Sequence, residues 1–292
     1  MTPPCEPATS TWPATPCNWV TLSAVTTRIR SAMPRPAAVP KNVHVYDAEG
    51  LKWQSAGKSG LALKPVREDR DKGRFLGLVA FEPVTRSGLH QHLGVATSFI
   101  LDGGLTDYQG AIGLHEAGIN LKGATHDAVA YQRALMVSRL EAPVIYPPET
   151  GRDYALHTGP RFGKIRNPNP EVPPDINIPV DRLPALPTSI AGVTRKMIFD
   201  YALSKGEHRY VQMGMLPGSA IPAFTTRAPL ELWVRAGDLR VGGSVAYANC
   251  FVIVESGATI EISSGFGALF HAWSEDPTDW ASGAKQPELF GF

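Results

Sequence analysis

From Val43 to Tyr146 no apolar run lasts long. Each gives way within a few residues to a glycine- or proline-bearing turn, and no amphipathic helical pattern exceeds about ten residues. The chain carries 28 glycines and 26 prolines, most of them between short apolar runs, a distribution that favours many short strands over long helices. Val43-His-Val-Tyr and Leu61-Ala-Leu-Lys-Pro-Val alternate, Arg74 to Phe81 forms a stronger strand pattern, and Ala96 to Leu101 ends at Asp102-Gly-Gly. Short strands with glycine turns at this spacing predict a sandwich or barrel. A second set runs from about Thr194 to Trp273, with Tyr210 to Gly218 paralleling Leu76 to Gly88 and Leu230 to Asp238 paralleling Thr97 to Gly104. Each half reads strand, glycine turn, strand, glycine turn, strand, which points to duplication of one small β unit.

Composition bounds the rest. With 292 residues, 43% hydrophobic and 19% charged, the chain can bury one large core or two ordinary ones. A net charge of +1 gives no field to attract nucleic acid, and no apolar stretch approaches the roughly 18 residues of a membrane span. Neither a nucleic-acid nor a membrane partner is therefore expected. Cys5, Cys17 and Cys250 have no metal or disulfide spacing, and the N-terminus lacks a secretory pattern, so a reducing cytoplasm is the expected compartment. Residues 1–40 are rich in Pro, Thr and Ser and are expected to be a poorly ordered extension. Residues 41–150 are read as one domain, 151–190 as a proline-rich linker and 191–292 as a second domain.

The chemistry concentrates in Gly88-Leu-His90-Gln-His92 and in Gly118 to His126. Histidines at i and i+2 share one face of a strand, so their imidazoles can converge, and a third histidine from a neighbouring strand completes a three-nitrogen set with open coordination positions. An isolated histidine is ordinarily structural; His90, His92 and His126 together are read as metal ligands. His115 is the candidate fourth ligand, while His44, His157, His208 and His271 have no comparable context. Phe81, Phe99, Leu101 and Tyr108 are candidates to line an apolar substrate space, and Arg74 and Arg133 to orient an anionic substrate.

These motifs resemble those of cupins. Gly88 to Gly104 matches the first cupin motif, with its His-x-His, and Gly118 to His126 matches the second, with its later histidine. Leu135 to Tyr146 is similar to the closing strands of dihydroxyacetophenone dioxygenase-like and acetylacetone dioxygenase-like cupins, and the C-terminal half resembles the cupin of ChrR-type anti-sigma factors. The resemblance implies an all-β fold of two cupin (double-stranded β-helix, jelly-roll) barrels in tandem. In many cupins a glutamate follows His-x-His. Thr97 stands at that position here, beside the substrate space, and Tyr108-Gln-Gly110 replaces a Tyr-x-Glu of some relatives. The resemblance therefore implies one divalent metal per chain on three imidazoles, iron(II) favoured, with zinc, nickel or manganese also compatible. It further implies a small organic substrate and O₂, a dioxygenase reaction on a β-dicarbonyl or hydroxyketone, and a homodimer. A non-catalytic ChrR-like sensor is the alternative. No side chain is assigned as general base. In the second half, Gly218-Ser-Ala-Ile-Pro-Ala-Phe-Thr-Thr replaces His-x-His, so this barrel is expected to be metal-free, with Glu231 an ordinary polar residue.

Overall fold

A computed structural model describes residues 42–107, 110–146, 175–200, 209–276 and 278–280. All of them belong to one compact unit, Ala37–Phe292. Apart from one 3₁₀ turn, Val180–Arg182, their regular structure is β-strand, as the glycine and proline spacing predicts. No helix among the described residues is long and apolar enough to cross a membrane.

Two antiparallel sheets of matching strand order organise the chain. In the first half the order is Asp175–Pro179, Glu116–Asn120, Ala96–Asp102, Ala134–Leu140, Arg74–Phe81, Leu61–Asp69 and Gln54–Ser55, all antiparallel. In the second it is Val43–Asp47, Cys250–Val254, Leu230–Val241, Ala268–Ser274, Arg209–Met215, Val193–Asp200 and Leu186–Pro187. The correspondence is strand for strand. It also shows an exchange: the strand that precedes each half pairs with the barrel of the other. Val43–Asp47 joins Cys250–Val254, and Asp175–Pro179 joins Glu116–Asn120.

That exchange corrects two expectations. The first-domain boundary near residue 41 assigns Val43–Asp47 to the wrong barrel, and the stretch 151–190 is not linker throughout, because Asp175–Pro179 is a paired strand. Proline there is tolerated because an edge strand needs hydrogen bonds on one side only. Residues 1–40, with their expected disorder, lie outside the described residues.

Three apolar clusters follow from side-chain alternation. One fills the second barrel, where Ile221, Phe224, Met213 and Phe270 are fully buried. A second, with Phe99, Leu76, Val137, Trp233, Phe251 and Trp273, lies between the barrels. The third, with Val79, Phe81, Ile100, Leu105 and Met136, forms the interior of the first barrel. The Ala96–Asp102 strand serves two of them, Ile100 facing the first-barrel interior and Phe99 the second barrel.

The interface between the barrels is pseudo-symmetric. Thr97 pairs in register with Arg139 and Ile119, and Glu231 pairs with Trp273 and Ile253, so Thr97 and Glu231 are equivalent, as are Arg139 and Trp273. Across the interface each meets its counterpart's partner. The Trp273 indole N–H donates to Thr97 Oγ1 at 2.9 Å, and Arg139 Nε donates to Glu231 Oε2 at 2.5 Å. Arg139 also donates to Glu141 Oε1 at 2.6 Å and to Glu275. Burial works against its charge, but Glu231, Glu141 and Glu275 outweigh that and hold its pKa above the ordinary value. Arg67 and Arg74 approach Glu231 and Glu275 at 3.6 and 3.2 Å, so the cluster is not left with surplus negative charge on a single cation. Glu231 is thus an anchor of the interface rather than an ordinary polar residue.

Candidate metal centre

The site is built from two adjacent short strands. In His90–His92 the outer residues are buried, while Gln91 turns the other way and donates its amide N–H to Gly123 O at 3.2 Å and Thr125 Oγ1 at 3.3 Å. These bonds clamp the first motif to the second. Backbone bonds from His92 N to Ala124 O, 2.9 Å, and from Gly123 N to His92 O, 2.7 Å, fix the register. His126 then sits directly opposite His90 in Thr125–His126. An i, i+2 pair plus one cross-strand partner is what brings three imidazoles to one point. Ring centroids lie 4.7 to 5.1 Å apart, and the candidate donor atoms of all three lie within 4.8 Å of one another.

Tautomers are set from outside the cluster. His90 Nδ1 lies 2.7 Å from Gly88 O, a carbonyl that can only accept, so this nitrogen carries the proton and Nε2 is the lone-pair donor. Gly88 has φ +77°, a conformation that favours glycine and that aims its carbonyl at the ring. His126 Nδ1 lies 3.4 Å from Asp107 Oδ2, and its Nε2 lies 3.1 Å from His92 Nε2. Burial, then the charge of His126, pulls the His90 pKa from its ordinary 6.5 to about 3. Burial, His126 and His90 hold His92 well below its ordinary value. Both are therefore neutral at pH 7, the form that ligates metal.

The donor chemistry fits a divalent cation. Nitrogens bound at about 2.1 Å to one ion sit about 3.0 to 3.4 Å apart, and the His92–His126 separation of 3.1 Å falls in that range. A carboxylate or carbonyl behind a ligating imidazole is the usual orienting arrangement, and Asp107 and Gly88 supply it. Among the described residues, His90, His92 and His126 form the one group of three or more such donors.

The histidines stand at the wall of a cavity of about 430 Å³ inside the first barrel, with Phe81, Val79, Leu105 and Met136 among its apolar lining and Ser98, Asn120 and Ser138 among its polar lining. Of the residues expected at the substrate space, Phe81 is there. Thr97 borders the wall, but its hydroxyl is turned to Trp273. Phe99 does not line the cavity. It packs between the barrels, 4.4 Å from the His271 ring and 5.9 Å from Trp233. Leu101 packs in the same inter-barrel cluster, Arg133 is exposed, and Tyr108 lies outside the described residues. Arg74 borders the cavity but is paired with Glu275 at 3.2 Å.

The reason for the Phe99 and Thr97 corrections is strand parity. Within Ala96–Asp102, Ser98 and Ile100 turn toward the first-barrel interior, while the Thr97 hydroxyl and Phe99 turn toward the second barrel. The absence of a carboxylate ligand from this strand is thus a matter of Ala96 and Ser98, not of Thr97. His115 is not a fourth ligand, since its Nδ1 faces Asp181 at 2.7 Å. His271 is structural: Gln212 Nε2 lies 2.9 Å from its Nε2 and the Tyr210 hydroxyl 2.8 Å from its Nδ1. His44 is exposed in its strand, and His157 and His208 lie outside the described residues. Sequence reading missed Asp107; its signal was an acidic residue in the hairpin that returns from Asp102-Gly-Gly toward the second histidine motif.

Comparison with known proteins agrees with this architecture. Residues 41–142 match the model of the ChrR cupin-like domain. The match falls on the first half, not on the second, to which the sequence resemblance to ChrR-type cupins points. No curated protein sequence matches the chain. Among solved structures, a candidate dioxygenase from Nostoc punctiforme is similar at a TM-score of 0.64 and 11% identity, covering 85% of this chain and 86% of that one. Oxalate decarboxylase from Bacillus subtilis is similar at a TM-score of 0.57 and 11% identity, covering 85% and 82%. Another structure of that enzyme, described for its Mn(II) centres, is similar at 0.56 and 11% over the same shares. At these identities the TM-scores show a shared fold and nothing beyond it. The chain has a tandem cupin fold, two jelly-roll barrels whose first carries a three-histidine cluster.

Proposed function

We propose that the chain is a metal-dependent cupin enzyme. It holds iron(II) on His90, His92 and His126 and uses O₂ to cleave a C–C bond of a small β-dicarbonyl or hydroxyketone. One observation carries the reading: three imidazoles, two of them kept neutral by burial, converge at the wall of a largely apolar cavity. Similarity of fold to a candidate dioxygenase and to a decarboxylase with Mn(II) centres supports it.

A divalent ion on neutral ligands keeps its full charge, and when bound it supplies Lewis acidity to the two oxygens of a chelating enolate. The chain's own residues do the rest. Gly88 O and Asp107 fix the rings of His90 and His126 so that their Nε2 atoms face the cluster. Phe81, Val79, Leu105 and Met136 exclude water and hold the carbon skeleton. The second barrel takes no metal in this reading, its interior being filled by Ile221 and Phe224. The buried free thiol of Cys250 fits the cytoplasm as compartment.

Purification without oxygen, metal analysis and O₂ uptake with a panel of β-diketones and hydroxyacetophenones test the proposal. Uptake that disappears in His90→Ala and His126→Ala supports it. The match of residues 41–142 to the ChrR cupin-like domain favours a second reading, a zinc-binding sensor. Stoichiometric zinc without turnover on any of these compounds decides for that reading, and failure to bind any metal ends both.

A further inference from the structure

We propose that Lys58 is an anion clamp at the cavity, and that the substrate carries a carboxylate in addition to the oxygens that meet the metal. The inference rests on the metal-site reading above and names the substrate class for it.

Lys58 lies in the turn that leads into the Leu61–Asp69 strand, where the Leu61 N–H donates to Lys58 O at 3.3 Å. That turn is pinned. Gly60 has φ +75°, and a Cβ there would collide with the Thr85 side chain, so the turn lies tight against the segment entering the first histidine motif. From this position the Lys58 ammonium donates to Ser87 O and stands 4.0 Å above the Tyr146 ring. Tyr146 in turn lies 5.9 Å from the His90 ring, and these two legs bound the distance from ammonium to imidazole at about 10 Å. Lys58, Tyr146, Ser87 and the three histidines line one cavity.

The charges single out this residue. Of the other cations at the cavity wall, Arg70 pairs with Glu68 and Arg74 with Glu275. Among the described residues no carboxylate lies within ion-pair distance of Lys58. The nearby Asp127 pairs with Arg86, and Asp107 faces His126. A carbonyl and a π face leave one of the three ammonium N–H groups and the net charge unanswered. A divalent ion on uncharged imidazoles adds positive charge to the same cavity. A ligand with one anionic head for the metal and a carboxylate for Lys58 neutralises both, whereas a neutral or singly anionic ligand leaves the ammonium uncompensated.

The test uses two probes that differ only in this respect: acetylacetone, and acetopyruvate, in which a carboxylate replaces one methyl group. Cobalt(II)-loaded protein is titrated with each under nitrogen and followed by visible absorption. The wild type is expected to bind acetopyruvate at least about tenfold more tightly than acetylacetone. Lys58→Met abolishes the preference without changing acetylacetone affinity, and Lys58→Arg keeps it. Equal affinities in the wild type, or a preference that survives Lys58→Met, overturn the clamp while leaving the metal site standing. A wild type that takes up no cobalt overturns the metal reading and the clamp with it. Equal affinities in the wild type overturn the clamp without any variant, and Lys58→Gln repeats the comparison if Lys58→Met fails to fold.

Discussion

The protonation of His90 makes the site readable in a stability measurement on metal-free protein. In the unfolded chain its imidazole takes up a proton as pH falls through 6.5, but in the folded barrel burial and His126 delay that to about 3. Between those values the unfolded state binds more protons, so stability decreases as pH falls. From pH 7 to pH 5 the loss attributable to His90 is about 2 kcal/mol, rising to about 5 kcal/mol once pH passes below the folded value. His92 is shifted in the same direction and adds to it. Against a total stability of roughly 5 to 15 kcal/mol for a folded protein, this is a large fraction. The assay is urea unfolding at a series of pH values with a chelator present, for the wild type and for His90→Gln, which cannot titrate. Groups remote from His90 titrate alike in both proteins, and burial, the largest cause of the His92 shift, is kept in the variant, so the difference between the two curves is dominated by His90. The wild type should lose about 2 kcal/mol more than the variant between pH 7 and pH 5. Curves parallel to within about 0.5 kcal/mol refute the argument that burial holds this imidazole neutral.

Two further predictions concern what supports the site. Asp107→Asn removes the carboxylate behind His126 and should weaken metal affinity about tenfold without changing the unfolding midpoint of the metal-free protein; an unchanged affinity removes Asp107 from any orienting role. Arg139→Met breaks a buried ion-pair cluster and should cost about 3 to 5 kcal/mol in urea unfolding, against about 1 to 2 kcal/mol for Thr97→Val, which removes the neutral hydrogen bond from Trp273 at nearly constant volume. Equal costs would show that the cluster contributes no more than its neutral counterpart.

How much of this was legible depended on the range of the interaction. His90, His92 and Gly88 were readable because strand alternation and a glycine turn are local rules, and His126 because its motif supplied a neighbouring strand. The face of Thr97 was not readable from the histidines, because His90–His92 and Ala96–Asp102 lie in different sheets and side-chain alternation does not carry across the break between them. The strand exchange was not readable. Val43–Asp47 pairs with Cys250–Val254 far along the chain, and neither segment carries a pattern that names its partner. The partner of Arg139 was hidden for the same reason, because Glu231 comes from the other barrel.

The two halves correspond strand for strand, yet one barrel is hollow and the other full. At equivalent interface positions both halves keep a partner for the opposite half, Thr97 with Trp273 and Glu231 with Arg139, so the contact between barrels constrains both copies. The interiors carry no such mutual constraint, and they differ. Where the first has His90, His92 and open space, the second has Ile221 and Phe224 packed at full burial. A filled barrel is the stiffer body, because close-packed interiors resist deformation. The Ala96–Asp102 and Ala134–Leu140 strands lie on this body with one face and bound the cavity with the other. Position along those strands therefore carries two meanings, Ser98 and Met136 shaping the cavity and Thr97 and Arg139 holding its wall in place. Substitution at Arg139 should consequently alter what the cavity accepts, although its side chain never reaches the cavity.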